Sequence, residues 1–332
     1  LVKDGTAQAE IVIAAAPARM ARLAATELQE YVRRISGAEL PITTAPTAGC
    51  PVQVFVGTSP HTDRLKVSAA GLEADAFRLV SGTNWLVLLG PDRDFVPPEP
   101  YGRSHADRPR VLKEWDARTG ETWDDPFAVL FKSYHPELGI WECDGRGSLN
   151  AVYEYLRRLG VRWYFPGPLG EIVPKAASIP LPVVDEVMCP DFAVRHMYFY
   201  YHQFFLASKE EALWQLRLGL NLGDERMGLG PPGHGICGVH SRAEVRQAHP
   251  EYFALWGGKR AVDHMGGGAP CLSSEGLFQA NLKYVRALYD TYGEPMVSVA
   301  PADGYVTLCQ CDLCKGKGTP ERGWTGQLSD YV

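Results

Sequence analysis

The sequence lacks any block of Lys and Arg, any long apolar run, and the short signatures of nucleotide and acyl-transfer chemistry. Its 33 Lys and Arg stand against 39 Asp and Glu, a net charge of −6. Nucleic acid is excluded as a partner on that ground, because its phosphates are gripped by clustered cations. No stretch approaches the ~18 apolar residues that span a bilayer, and the longest, such as Trp85 to Leu89, are strand-sized. Neither a phosphate-loop lysine motif nor a G-x-S-x-G elbow occurs, and Asp144-Gly-Arg-Gly is too short for a dinucleotide fingerprint. Kinase, dehydrogenase and serine-hydrolase chemistries therefore lack their parts. His249-Pro-Glu-Tyr-Phe has no second His at i+4 and is read as a loop leading into a strand.

What is present fits two soluble domains. The 332 residues exceed one typical domain, and 45% hydrophobic with 22% charged residues is ordinary for globular chains. Aromatics are plentiful, with 15 Tyr, 8 Trp and 12 Phe; such rings stack on sugar faces or fill cores. Residues 10–13 read as a strand and Pro17 to Ile35 as an amphipathic helix ended by Ser36-Gly37. Residues 52–57 form an alternating strand, and 77–80 with 85–89 a hairpin. Residues 91–147 read as a long irregular loop, followed by a helix from Leu149 to Leu159 and a strand from Val161 to Phe165. A short strand is expected at 179–184, and a linker near 185–190. Beyond it, strand–helix alternation (strands near 192–201, 219–222 and 296–300, helices near 210–218 and 274–292) predicts a parallel sheet or barrel. A helix is expected to begin near Gln327.

Two blocks carry a resemblance. Ala24 to Ile42 (AATELQEYVRRISGAELPI) and Ser148 to Pro174 (SLNAVYEYLRRLGVRWYFPGPLGEIVP) resemble the accessory α/β domain that precedes the catalytic barrel in bacterial α-glucuronidases and β-hexosaminidases. Three more, HPEYFALWGGKR from His249, CLSSE from Cys271 and VSVAPADGYVTLCQCDLC from Val297, resemble the bacterial proteins of domain of unknown function 4838. Some members of that group are glycosidases acting on N-acetylglucosamine-containing glycans. The resemblance implies glycoside hydrolysis by an exported protein that is secreted, periplasmic or on the cell surface. The chain departs from the group in carrying Ala302 and Tyr305 around Asp303.

The expected architecture is α/β: an accessory domain over residues 1–185, then the first half of a (β/α)₈ TIM-type barrel over 186–332, expected to be cut short. Glycoside hydrolysis needs two carboxyl groups, or one with a substrate acetamido group, about the anomeric carbon. Barrel active sites lie at the C-terminal strand ends. Asp303, three residues past the apolar run Met296 to Ala300, is the candidate acid; an Asp-Gly turn is the plainer reading. His234, in a Gly-rich loop, is the second catalytic candidate, to bond a hydroxyl or orient a carboxylate. Tyr198, Tyr200 and His202 share one side of their strand, and Asn221 and Glu225 follow the next; these five are candidates to hold the sugar. Cys309, Cys311 and Cys314, with Cys271 as a fourth, offer either a closed zinc site or two disulfides. Both readings are structural, and no cofactor is required for catalysis. The alternative function on the same scaffold is a non-catalytic carbohydrate-binding or surface interaction protein.

Overall fold

The computed structural model describes residues 1–102, 105–123, 134–193, 195, 208–221, 238–263, 269–293, 297–299, 309–317 and 331. The chain divides into two compact units. Unit 1 is Leu1–Val96 with Ser133–Asp224, and unit 2 is Pro97–Lys132 with Glu225–Val332. The expected boundary at 185/186 falls inside unit 1, because the helix Lys209–Arg217 packs into its core. Among the described residues, no helix is long and apolar enough to cross a membrane.

Unit 1 is built on a six-stranded mixed sheet in the order 185–188, 77–81, 85–89, 52–56, 9–12, 42–43. The strands Ala9–Val12, Ile42–Thr43, Val52–Val56 and Trp85–Leu89 run parallel. Phe77–Ser81 returns antiparallel beside Trp85–Leu89, as the hairpin expectation required. Strand alternation divides the side chains between two cores. Val54, Val56, Leu86 and Leu88 meet the helices, while Phe55, Val87 and Leu89 join Val67 in a smaller cluster.

The helix Arg19–Ser36 lies where periodicity places it. Met20, Ala24, Leu28, Tyr31, Val32 and Ile35 are buried at helical spacing, and Gly37 closes it with φ 82°. It packs with the helix Gly147–Arg158 over the sheet. The second helix begins where two backbones nearly touch: a Cβ on Gly90 would lie 2.6 Å from Cα of Gly147.

Asp92 holds that helix start, accepting from the Ser148 N–H at 2.9 Å and from the Ser148 hydroxyl. Burial pushes its carboxyl up to about 7, against bonds from Ser148 that lower it. With the folded value above the unfolded one, the native state holds more protons between pH ~4 and ~7, so this group's contribution to stability falls as pH rises through that window. An Asp92→Asn variant should lack that component. In urea unfolding at pH 5 and pH 8, wild type is expected to lose more stability than the variant; parallel losses would show that Asp92 does not titrate there.

Three segments depart from expectation. The loop 91–147 contains a helix, Arg108–Thr119. It buries only Val111 and Trp115, too little apolar periodicity to stand out. The strand falls at Asp185–Met188 rather than 179–184; Ile179 makes only a single bridge to Val2. As an edge strand with largely exposed side chains, Asp185–Met188 shows no buried face in its sequence. The strand expected at 161–165 shrinks to Arg162–Trp163.

In unit 2, Glu275–Tyr292 is the long helix, started by Ser274 and ended by Gly293 at φ 63°. Trp115, Trp123, Leu277 and Tyr284 form its core with Val239. A two-residue hairpin joins Leu255–Trp256 to Lys259–Arg260 through Gly257 (φ 55°) and Gly258 (φ 78°). Two successive left-handed residues are what such a turn demands, hence two glycines. The fold is mixed α/β, and among the described residues no closed barrel is present. Most of 192–201, with 296 and 300, lies outside those residues, and 297–299 form no strand.

Candidate metal centre

The cysteines singled out in the sequence come together in unit 2. Cys271, Cys309, Cys311 and Cys314 are all buried, and their sulfurs lie within 4.8 Å of one another. Cys271 Sγ stands 3.7 Å from Cys311, 3.6 Å from Cys314 and 3.7 Å from Cys309. None is disulfide-bonded. Four sulfurs at ~2.3 Å from one central ion have edges of about 3.8 Å, which the three separations from Cys271 match.

Local structure fixes each ligand. The hairpin carries Leu255, whose carbonyl accepts from the Gln310 N–H at 2.7 Å and whose own N–H points at Cys309 Sγ at 3.2 Å. The Gln310 side chain accepts from the Gly257 N–H at 3.0 Å. Cys271 is anchored by its N–H to the Tyr252 carbonyl at 2.7 Å. Between Cys311 and Cys314 the chain makes a tight turn, the Cys314 N–H reaching the Cys311 carbonyl at 3.0 Å, and Gly316 (φ 80°) turns it out. Burial pushes the Cys271 thiol up, whereas at Cys311 bonds from its neighbours outweigh burial and bring the thiol down to about 7. Ala254 and Ala269 line the rest. Sequence reasoning missed Leu255; the spacing of Cys309, Cys311 and Cys314 was the legible part.

A closed set of four sulfurs leaves no open coordination position, so an ion held here would be structural rather than catalytic.

The other candidates are not gathered by the described residues. Asp303, His234, Tyr198, Tyr200, His202 and Glu225 lie outside them. Asn221 is described, in unit 1 and 4% exposed. Its amide oxygen accepts from the Arg195 N–H at 2.8 Å, and its NH₂ donates to the Ala193 carbonyl at 2.9 Å and to Asp75 Oδ2 at 3.1 Å. Arg195 also reaches Asp75 Oδ2 at 2.6 Å. The side chain expected to hold sugar is thus engaged within unit 1, and of residues 219–222 the described 219–221 contribute one antiparallel bridge, Arg195 to Asn221.

Residues 165–327 match the family described as Domain of unknown function (DUF4838). The resemblance seen in the C-terminal blocks is therefore shown over that span, which includes the cysteine cage. A search of curated proteins gives no match. One similar solved structure is described as "A novel family GH115 4-O-Methyl-alpha-glucuronidase, BtGH115A, with specificity for decorated arabinogalactans". Identity is 14%, the TM-score is 0.43, and the alignment covers 86% of this chain and 40% of that one. A similarity that loose assigns no fold. The chain spans less than half the length of that structure.

Proposed function

We propose that this chain is part of a glycoside hydrolase acting on complex glycans that contain N-acetylglucosamine or a uronic acid. The observation that carries the reading is the DUF4838 match over 165–327, which contains Tyr198, Tyr200, His202, Glu225, His234 and Asp303. Those are the residues the sequence assigns to sugar and acid chemistry, and the resemblance implies glycosidases. Asp303 serves as the acid or electrostatic stabiliser beside the anomeric carbon. His234 orients a carboxylate or bonds a hydroxyl, and the Tyr and His side chains of 198–202 hold the ring. A (β/α)₈ barrel, begun in this chain, places these groups at its strand ends. The exported location follows from the same resemblance.

The test is a panel of aryl glycosides, including N-acetylglucosaminides and glucuronides, together with complex glycans. Release of a sugar by the protein is expected on at least one member. Glycan binding without turnover across the panel would overturn hydrolysis in favour of a carbohydrate-binding protein.

A further inference from the structure

We propose that unit 2 holds a single zinc ion in the cage of Cys271, Cys309, Cys311 and Cys314, where it fastens the 309–317 segment to the 254–271 region as a structural staple. The proposal stands independently of the glycosidase reading.

Three observations favour an ion over two disulfides. First, the separations are even. Cys271 is 3.6–3.7 Å from each of the other three sulfurs, whereas a disulfide pairing would single out one partner. Second, a protein donor is aimed at sulfur: the Leu255 N–H meets Cys309 Sγ at 3.2 Å. Donors arranged around sulfur stabilise thiolates and orient metal ligands. Third, the cage is buried among Ala254 and Ala269. Four sulfurs in such a setting ionise together only around a cation, since uncompensated buried charge is costly.

Tetrahedral sulfur coordination suits zinc or iron, and zinc(II) binds such sites more tightly than iron(II). The Gly316 turn follows the three ligands of the 309–317 segment, and the Gly257-Gly258 hairpin braces that segment through Gln310. The hairpin and Cys271, close in sequence, meet the distant segment 309–317 at one point. Metal binding there is folding energy for this region. Asp303 lies six residues ahead of Cys309 in the chain, so the ion also anchors one end of the segment assigned to acid catalysis.

The experiment measures metal content of the whole protein purified under reducing conditions without added metal. Elemental analysis is expected to give about one zinc per chain, set by one four-ligand site. Mercurial titration of the thiols should release that zinc. Cobalt(II) exchanged into the site should show the intense near-ultraviolet sulfur-to-metal bands and red d–d bands of tetrahedral thiolate coordination. Cys311→Ser is expected to bring zinc to background, and Cys189→Ser, at an exposed free cysteine, to leave it unchanged. Because a ligand variant can fail to fold, the wild-type zinc and cobalt readings decide the matter alone. Zinc at background with two disulfides among these four cysteines by mass mapping would overturn the proposal. Stoichiometric iron in place of zinc would overturn the assignment of the ion.

Discussion

Replacing Arg217 by methionine is expected to destabilise unit 1 by about 3–5 kcal/mol, because it leaves a buried carboxylate without its cation. Arg217 ends the helix Lys209–Arg217 and enters the accessory core with a 9% exposed side chain. Its Nε and Nη2 donate to the two oxygens of Glu27 at 2.8 and 3.1 Å, a bidentate pair. Its Nη1 donates to Glu171 at 2.7 Å. Glu171 keeps Arg34 at 2.6 Å and the Tyr31 hydroxyl at 2.9 Å, but among the described residues Glu27 keeps only the Tyr153 hydroxyl at 3.2 Å. Burial raises the pKa of both tyrosines, so they remain protonated donors and cannot supply positive charge. Glu27 is the group left exposed to the penalty.

The control is Glu27→Leu combined with Arg217→Met, which removes both charges and is expected to recover most of the loss. Urea unfolding followed by tryptophan fluorescence, with Trp163 hydrogen-bonded to Tyr31 at 2.7 Å, reads both variants. Equal losses in the single and double variants would assign the cost to packing, where the guanidinium sits 5.2 Å from the Tyr31 ring centroid.

The parts of this fold that were legible from sequence are those stabilised by their own pattern. Residues 19–36 bury one helical face and stop at a glycine, and 77–89 alternate around a four-residue turn. Arg108–Thr119 and Asp185–Met188 were not legible, since the first buries two side chains and the second is held by backbone pairing with Phe77–Ser81. Their stability comes from distant partners that no local window contains. The linker reading of 185–190 fails for that reason.

The site followed the same rule. Three cysteines within six residues announce a cluster, and Cys271 emerged as a fourth only because thiols of that spacing ask for one. The donor Leu255 carries no such signal, because any residue supplies a backbone N–H. Arg217 was hidden in an ordinary amphipathic helix, its two carboxylate partners lying 190 and 46 residues away.

Asp303→Asn is expected to lower glycoside turnover by ~10²-fold or more, the range for removal of a positioned acid. The substitution is nearly isosteric, so it removes proton donation while preserving volume. It leaves the cysteine cage intact, and the zinc content of the variant should match wild type. That match separates loss of chemistry from loss of folding. A further expectation concerns substrate choice: aryl glycosides with good leaving groups need less protonation, so their turnover should fall less than that of natural glycans if Asp303 is the acid.

The most direct test is therefore sugar release from the responsive glycan by wild type and by Asp303→Asn, at equal zinc content. A hundredfold fall, larger for the natural glycan than for an aryl glycoside, is the result expected of a glycosidase with its acid at Asp303. Undiminished turnover in the variant would contradict that assignment.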